Sequence, residues 1–167
     1  RCFPVSDSLD PKRIGIYVDV QNIYYTTRDT YNGQFNYRDF WRQVGERGTI
    51  VIAKAYATER NSDAQHRFQS ALRHIGFEVK LRPFIQRADG SAKGDWDVGL
   101  TIDVLEDSEN LDTVILLSGD GDFDLLLSKV KSKYGVTAEV FGVPQLTSSA
   151  LINEADTFHP ITERLIL

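Results

Sequence analysis

The sequence predicts a single α/β domain built on a mostly parallel sheet, and three observations carry that prediction. Short β-rich apolar runs recur along the chain, most are followed by a stretch of helical periodicity, and Gly, Asn or Ser residues mark the junctions. Strands alternating with helices form βαβ units, whose right-handed crossovers lay helices on both faces of one sheet. A chain of 167 residues with 41% apolar content suits one domain with a substantial core and is too short for two. The domain is expected to span 1–167, with its core over about 13–145 between a leader and a C-terminal tail.

The elements follow in order. "RIGIYVDV" (13–20) is a β-rich run that ends on a carboxylate and leads into the polar and aromatic segment "QNIYYTTRDTY". "NYRDFWRQVG" suits a helix capped by Asn36 and stopped by Gly45, and "TIVIAKAYAT" (49–58) is a second strand. "SDAQHRFQSALRHIG" carries Ala64, Phe68, Ala71, Leu72 and Ile75 at helical spacing before Gly76, which places His66 and His74 on that helix, and "FEVKLRPF" alternates as strand three. After the polar loop "IQRADGSAKGD", the segment "WDVGLTIDVLED" sets Val98, Ile102 and Leu105 on one helical face, the face expected to pack inward. "DTVILLS" (112–118) is strand four, "DFDLLLSKVKSKYG" a helix ending at Gly135, and "TAEVFGV" strand five. The order typical of this class is 3-2-1-4-5.

Composition removes several classes of function. No apolar run reaches the roughly 18 residues of a membrane span, so a soluble, cytoplasmic protein without membrane partners is expected. Cys2 is the only cysteine, which excludes a disulfide framework or a cysteine-based zinc site within one chain. A net charge of −5 argues against a generic polyanion binder, so any nucleic-acid contact must rest on a local basic surface.

The carboxyl ends of parallel strands share one edge, where ligands bind at the switch in strand order. Asp19 closes strand one, while Asp120 and Asp122 follow strand four in "LLSGDGDFDLL". With strands one and four adjacent, these carboxylates converge and repel one another unless a cation neutralises them. Hard divalent cations such as Mg²⁺ or Mn²⁺ take such oxygen donors. A second account stays open at this point, in which Asp122 caps the following helix, Gly121 serves the turn and Asp124 favours the helix dipole. An EF-hand loop is excluded, since its glycine position falls on Leu125 and its final glutamate on Lys131. A Rossmann phosphate cradle is absent, because "VDVQNI" contains no glycine.

Three segments, "YVDVQNIYY", "KGDWDVGLTID" and "LLSGDGDFDLLL", resemble in order and spacing the signature segments of NYN domains, the LabA-like branch of the PIN-like nucleases. The family pattern is Asp-x-x-Asn after strand one, Lys-Gly-x-x-Asp opening a helix and Ser-Gly-Asp-x-Asp-Phe after strand four. The resemblance implies a PIN-like three-layer sandwich and a Mg²⁺- or Mn²⁺-dependent ribonuclease site, with the family's acidic residues on Asp19, Asp97, Asp120 and Asp122. On this view Asn22 and Ser118 orient metal-bound water or phosphate, and Lys93 gives the phosphate a point charge or simply tempers the acidic cluster. Asp95 competes with Asp97 for the ligand position, while Asp103, six residues along the helix, is turned about 120° away. Single-stranded RNA is the expected partner. Lys80, Arg82, Arg87 and Lys93 would supply basic contacts and Tyr24, Tyr25, Tyr31 and Trp96 stacking surfaces, unless these aromatics serve the core or a homodimer contact. The competing function is a PIN-like module that binds RNA or a partner protein without cutting it.

Overall fold

The computed structural model describes residues 11–59, 62–83, 85–86, 92–93 and 96–167, with backbone alone at 85–86 and 92–93. Its centre is a six-stranded sheet of β1 (Lys12–Asp19), β2 (Gly48–Glu59), β3 (Glu78–Pro83), β6 (Thr113–Leu117), β7 (Thr137–Gly142) and β8 (Thr157–Pro160). The spatial order is β3-β2-β1-β6-β7-β8 with every pairing parallel, so the sheet strands counted along the chain run 3-2-1-4-5-6. A short antiparallel pair, β4 (Ile85–Gln86) and β5 (Ala92–Lys93), stands outside it.

Two helical layers cover the sheet, and the alternation of side chains along each strand decides which layer a residue feeds. From β1, Ile14, Ile16 and Val18 face one core, with Ile23 of α1 (Val20–Tyr31), Phe40 and Val44 of α2 (Tyr37–Gly45) and Leu72 of α3 (Asp63–Ile75). Tyr17 faces the other, with Leu100 and Val104 of α4 (Asp97–Asp107), Leu127 and Val130 of α5 (Asp124–Tyr134) and Leu151 of α6 (Ser149–Glu154). In β6, Ile115 and Leu117 go to the first core, Val114 and Leu116 to the second, and all four are buried. This is why the central strands read as continuous apolar runs.

The fold departs from the sequence expectation in three places. The polar and aromatic segment after β1 is a helix, α1, which starts without a linker because Asp19 caps it: the Asp19 carboxylate accepts from the Asn22 N–H. Its buried residues are Val20, Ile23 and Thr27, and Asn32 ends it in the left-handed region at φ 54°. The residues beyond 145, expected as a tail, supply α6 and the sixth strand β8. At four residues ending in Pro160, β8 has no alternating apolar signature, and proline is tolerated there because the strand lies at the sheet edge. It is fastened by His159, whose ring bonds the Glu139 carboxylate at 2.7 Å and stacks on Phe141 at 4.4 Å. The third departure is the rotation of α4. Val98 and Ile102 are 69% and 48% exposed, while Leu100 and Val104 pack inward together with the carboxylates of Asp103 and Asp107. Among the described residues no helix is long and apolar enough to cross a membrane.

Candidate metal centre

Right-handed connections bring the ends of β1 and β6 and the start of α4 to the carboxyl edge of the sheet. Asp97 is the first residue of α4, and Asp120 and Asp122 occupy the turn between β6 and α5. Each of these three carboxylates offers an oxygen within 4.8 Å of the others. Asp97 and Asp120 are partly buried and Asp122 is exposed. The cluster sits where two helices begin, and positive helix ends favour negative charge.

The loop that carries the cluster is fixed by side chains from β1 and α1. Ser118 is fully buried; its hydroxyl donates to Asp19 Oδ2 at 3.2 Å and accepts from the Asp120 N–H at 3.1 Å. Asn22 Oδ1 accepts from the Gly119 N–H at 2.9 Å, and the Gly119 carbonyl accepts from the Ser148 N–H. A Cβ on Gly119 would lie 2.5 Å from the Leu146 carbonyl oxygen, so only glycine lets the two loops approach. Asp120 Oδ1 accepts from the Asp122 N–H at 2.9 Å, which makes Asp120 the cap of the short turn Gly121–Phe123. The capping expected of Asp122 is therefore made by Asp120, and no side chain caps α5.

Of the four acidic residues singled out in the sequence, the structure gathers Asp97, Asp120 and Asp122. Asp19 adjoins them through Ser118, and its carboxylate holds the start of α1. Its charge, after burial, also helps raise the phenol of buried Tyr37 above its ordinary value. Arg87 and Asp95 lie outside the described residues, as does the side chain of Lys93. Lys80 donates to Asp103 at 2.7 Å, so its charge is already matched, and the Arg82 guanidinium lies over Trp96 at 5.5 Å. Trp96 itself donates to the Ala57 carbonyl at 2.9 Å beside the first residue of α4. Tyr31 donates to the Ile161 carbonyl, whereas Tyr24 is 46% exposed with the Arg28 guanidinium over its ring.

Sequence reading missed the polar layer beneath α4. Tyr17 and Lys54 both donate to Asp107, at 2.9 and 2.8 Å, and Tyr56 donates to Asp103 at 2.7 Å beside Lys80. Burial, then the charge of Asp107, drive the Tyr17 phenol far above its ordinary value; burial and the hydrogen bond to Asp103 do the same for Tyr56. Burial opposes the Lys54 charge, but the bond to Asp107 leaves its ammonium above the ordinary value. Because both folded phenols stay neutral where unfolded tyrosine ionises, their contribution to stability is complete below about pH 10 and is lost as pH rises above it. Chemical denaturation against pH for Tyr17→Phe combined with Tyr56→Phe should therefore show a shallower alkaline decline than the parent. An unchanged alkaline limb would refute this account of the layer.

The comparisons with known proteins agree with this fold. The NYN domain family model matches residues 13–162. The chain is 28% identical over 132 residues to the low amplitude and bright protein LabA of Synechococcus elongatus, a match covering 74% of this chain and 70% of that protein. It is also similar to a crystal structure of a protein of unknown function from Vibrio parahaemolyticus, with TM-score 0.90 and 49% identity over 94% of this chain and 97% of the other. The α/β architecture with its central parallel sheet is that of the PIN-like nuclease superfamily, and the acidic cluster is of a kind that can hold a divalent metal. By the family match over 13–162, the chain belongs to the NYN domain family.

Proposed function

We propose that the protein is a metal-dependent ribonuclease that hydrolyses phosphodiester bonds of single-stranded RNA at the carboxyl edge of its sheet. The observation that carries this reading is the convergence of Asp97, Asp120 and Asp122, three oxygen donors from two separate segments meeting within 4.8 Å. Oxygen-only donor sets suit Mg²⁺ or Mn²⁺ rather than softer metals, so the residues present fit such an ion. When bound there, the cation supplies Lewis-acid stabilisation of phosphate charge and a more acidic water.

The roles of the protein groups follow from their bonds. Asp97, Asp120 and Asp122 hold the ion, with Asp120 locked by the Asp122 N–H and its own N–H locked by Ser118. Ser118 and Asn22 act as positioning residues, since they tie the loop after β6 to the end of β1 and the start of α1. Asp19 adds negative charge on the flank of the cluster and braces Ser118. Lys93 and Arg87, whose side chains lie outside the described residues, take their roles from the sequence alone: Lys93 gives the scissile phosphate a point charge and Arg87 contacts the RNA backbone.

The test incubates purified protein with labelled single-stranded RNA and Mn²⁺, Mg²⁺ or EDTA. Cleavage with either metal and none with EDTA is the expected result. RNA that binds and stays intact under all three conditions would instead establish a non-cleaving module, and EDTA-resistant cleavage would point to a contaminating nuclease.

A further inference from the structure

On the opposite helical layer, α2 and α3 form an open, shallow groove, the cleft, of about 510 Å³ lined by Arg38, His66, Arg67, Ser70, Ala71 and His74. Five of these residues come from α3, and His66, Ser70 and His74 repeat at the i, i+4, i+8 spacing that places them along one helix face. Ser70 and Ala71 are small and leave room between the basic side chains. Arg38 reaches in from the first turn of α2. Among the described residues no carboxylate lines the cleft, and Arg38, His66, Arg67 and His74 are all exposed.

What sets the groove apart is that two arginines and two histidines meet there with no carboxylate among the residues that line it. Arg28, Arg42, Arg47, Lys54, Lys80 and Lys131 each pair with a carboxylate, whereas among the described residues neither Arg38 nor Arg67 makes an ion pair. In a chain of net charge −5, unmatched positive charge gathered in one concavity is a local attractor for an anion. His66 to His74 spans about 12 Å of helix axis, enough to follow a run of backbone instead of gripping a single phosphate. Because α3 links the parallel strands β2 and β3, its first turn, with His66, lies at the same sheet edge as Asp97, Asp120 and Asp122. The imidazoles also offer flat faces and N–H donors to unpaired bases.

We propose that the α2–α3 cleft binds the phosphodiester backbone of single-stranded nucleic acid and leads it to the carboxyl edge. The choice of nucleic acid over another phosphate rests on the nuclease reading of that edge.

The experiment measures anisotropy of a short labelled single-stranded RNA in EDTA across a salt series, so that metal-dependent cleavage plays no part. Arg38→Glu combined with Arg67→Glu should weaken binding by about tenfold or more and lower the salt slope by about two. Lys129→Glu combined with Lys133→Glu makes the same charge change on exposed, unpaired lysines of α5 and should alter affinity less than about twofold. His66→Ala combined with His74→Ala, which keeps both arginines, should weaken binding without abolishing it. Equal losses in the two charge-reversed doubles, no loss in the cleft double, or no RNA binding by the parent protein would each overturn the proposal. Sedimentation with phosphatidylserine vesicles forms a second arm, in which parent protein pelleting through Arg38 and Arg67 would assign the cleft to lipid headgroups and overturn it too. A parent protein that binds through the cleft yet never cuts would remove the nuclease reading alone, while cutting by a cleft double that binds at parental affinity would remove only this one.

Discussion

Asp120→Asn should reduce metal-dependent cleavage about 10³-fold, close to 4 kcal/mol of transition-state stabilisation, while the metal-free protein melts at the same temperature or higher. Both halves follow from the geometry. The Asp120 carboxylate does two jobs, capping the Gly121–Phe123 turn through the Asp122 N–H and adding charge to the group with Asp97 and Asp122. Asparagine keeps an oxygen for the cap, and asparagine and aspartate are nearly equal as capping residues. The loop after β6 therefore stays in place. What disappears is one negative charge among three whose oxygens lie within 4.8 Å, which relieves repulsion in the metal-free cluster and removes one of its two partly buried anionic donors. Melting curves with and without Mn²⁺, beside cleavage rates, read out both effects. The parent should gain stability from the ion by mass action and the variant should gain much less. A variant that cuts at the parental rate would show that the cluster is not the reaction centre. One that fails to fold would show that Asp120 serves the turn above all.

Some of this was legible in the chain, for reasons that particular residues illustrate. Strands β1 and β6 are buried on both faces, so Ile14 to Val18 and Val114 to Leu117 read as apolar runs, and the 3-2-1-4-5 order expected for the class is the order found, extended by β8. Helix α1 was not legible: only Val20, Ile23 and Thr27 turn inward, too few to show a period among the polar and aromatic neighbours. The face of α4 was misread because apolar Val98, Ile102 and Leu105 outweigh aspartates in any hydrophobic pattern. What rotates the helix is a set of donors on other strands, Tyr17, Lys54, Tyr56 and Lys80, between 23 and 90 residues distant from their carboxylates. Local sequence carries no trace of such partners. At the candidate site, Asp120 and Asp122 stood out by position after a buried strand, and Asp97 by the resemblance of "KGDWDVGLTID" to the family pattern. The bracing of Asp19 by Ser118 depends on loop geometry that spacing does not encode. The basic cleft was hidden for a simpler reason, since Arg38 and His66 meet only once α2 packs on α3.

Asp103→Ala should destabilise the protein by about 3 kcal/mol, the low end of the range for removing one partner from a buried ion pair. Asp103 Oδ2 accepts from Tyr56 at 2.7 Å and from the Lys80 ammonium at 2.7 Å, and its side chain is 15% exposed. Without it, the Tyr56 hydroxyl, on a residue 1% exposed, loses its acceptor, and Lys80 at 29% side-chain exposure loses its counter-charge. Tyr56→Phe removes donor and need together and should cost only about 1 kcal/mol. The acid limb gives an independent check. Burial works to raise the Asp103 carboxyl, but the hydrogen bonds from Lys80 and Tyr56 and the charge of Lys54 hold it below its ordinary value. A carboxyl lowered in the folded state stabilises fully above its unfolded value, near pH 4, and that contribution drains away as pH falls through the folded one. Asp103→Ala should therefore flatten the acid decline as well as lower the neutral plateau. Since Asp103 and Asp107 set the rotation of α4, and Asp97 begins that helix, the same variant should weaken Mn²⁺ binding although it touches no candidate ligand. Urea denaturation at several pH values and Mn²⁺ titration of the folded variant measure all three effects. Full stability with parental Mn²⁺ affinity would mean that the apolar contacts of Leu100 and Val104 alone orient α4.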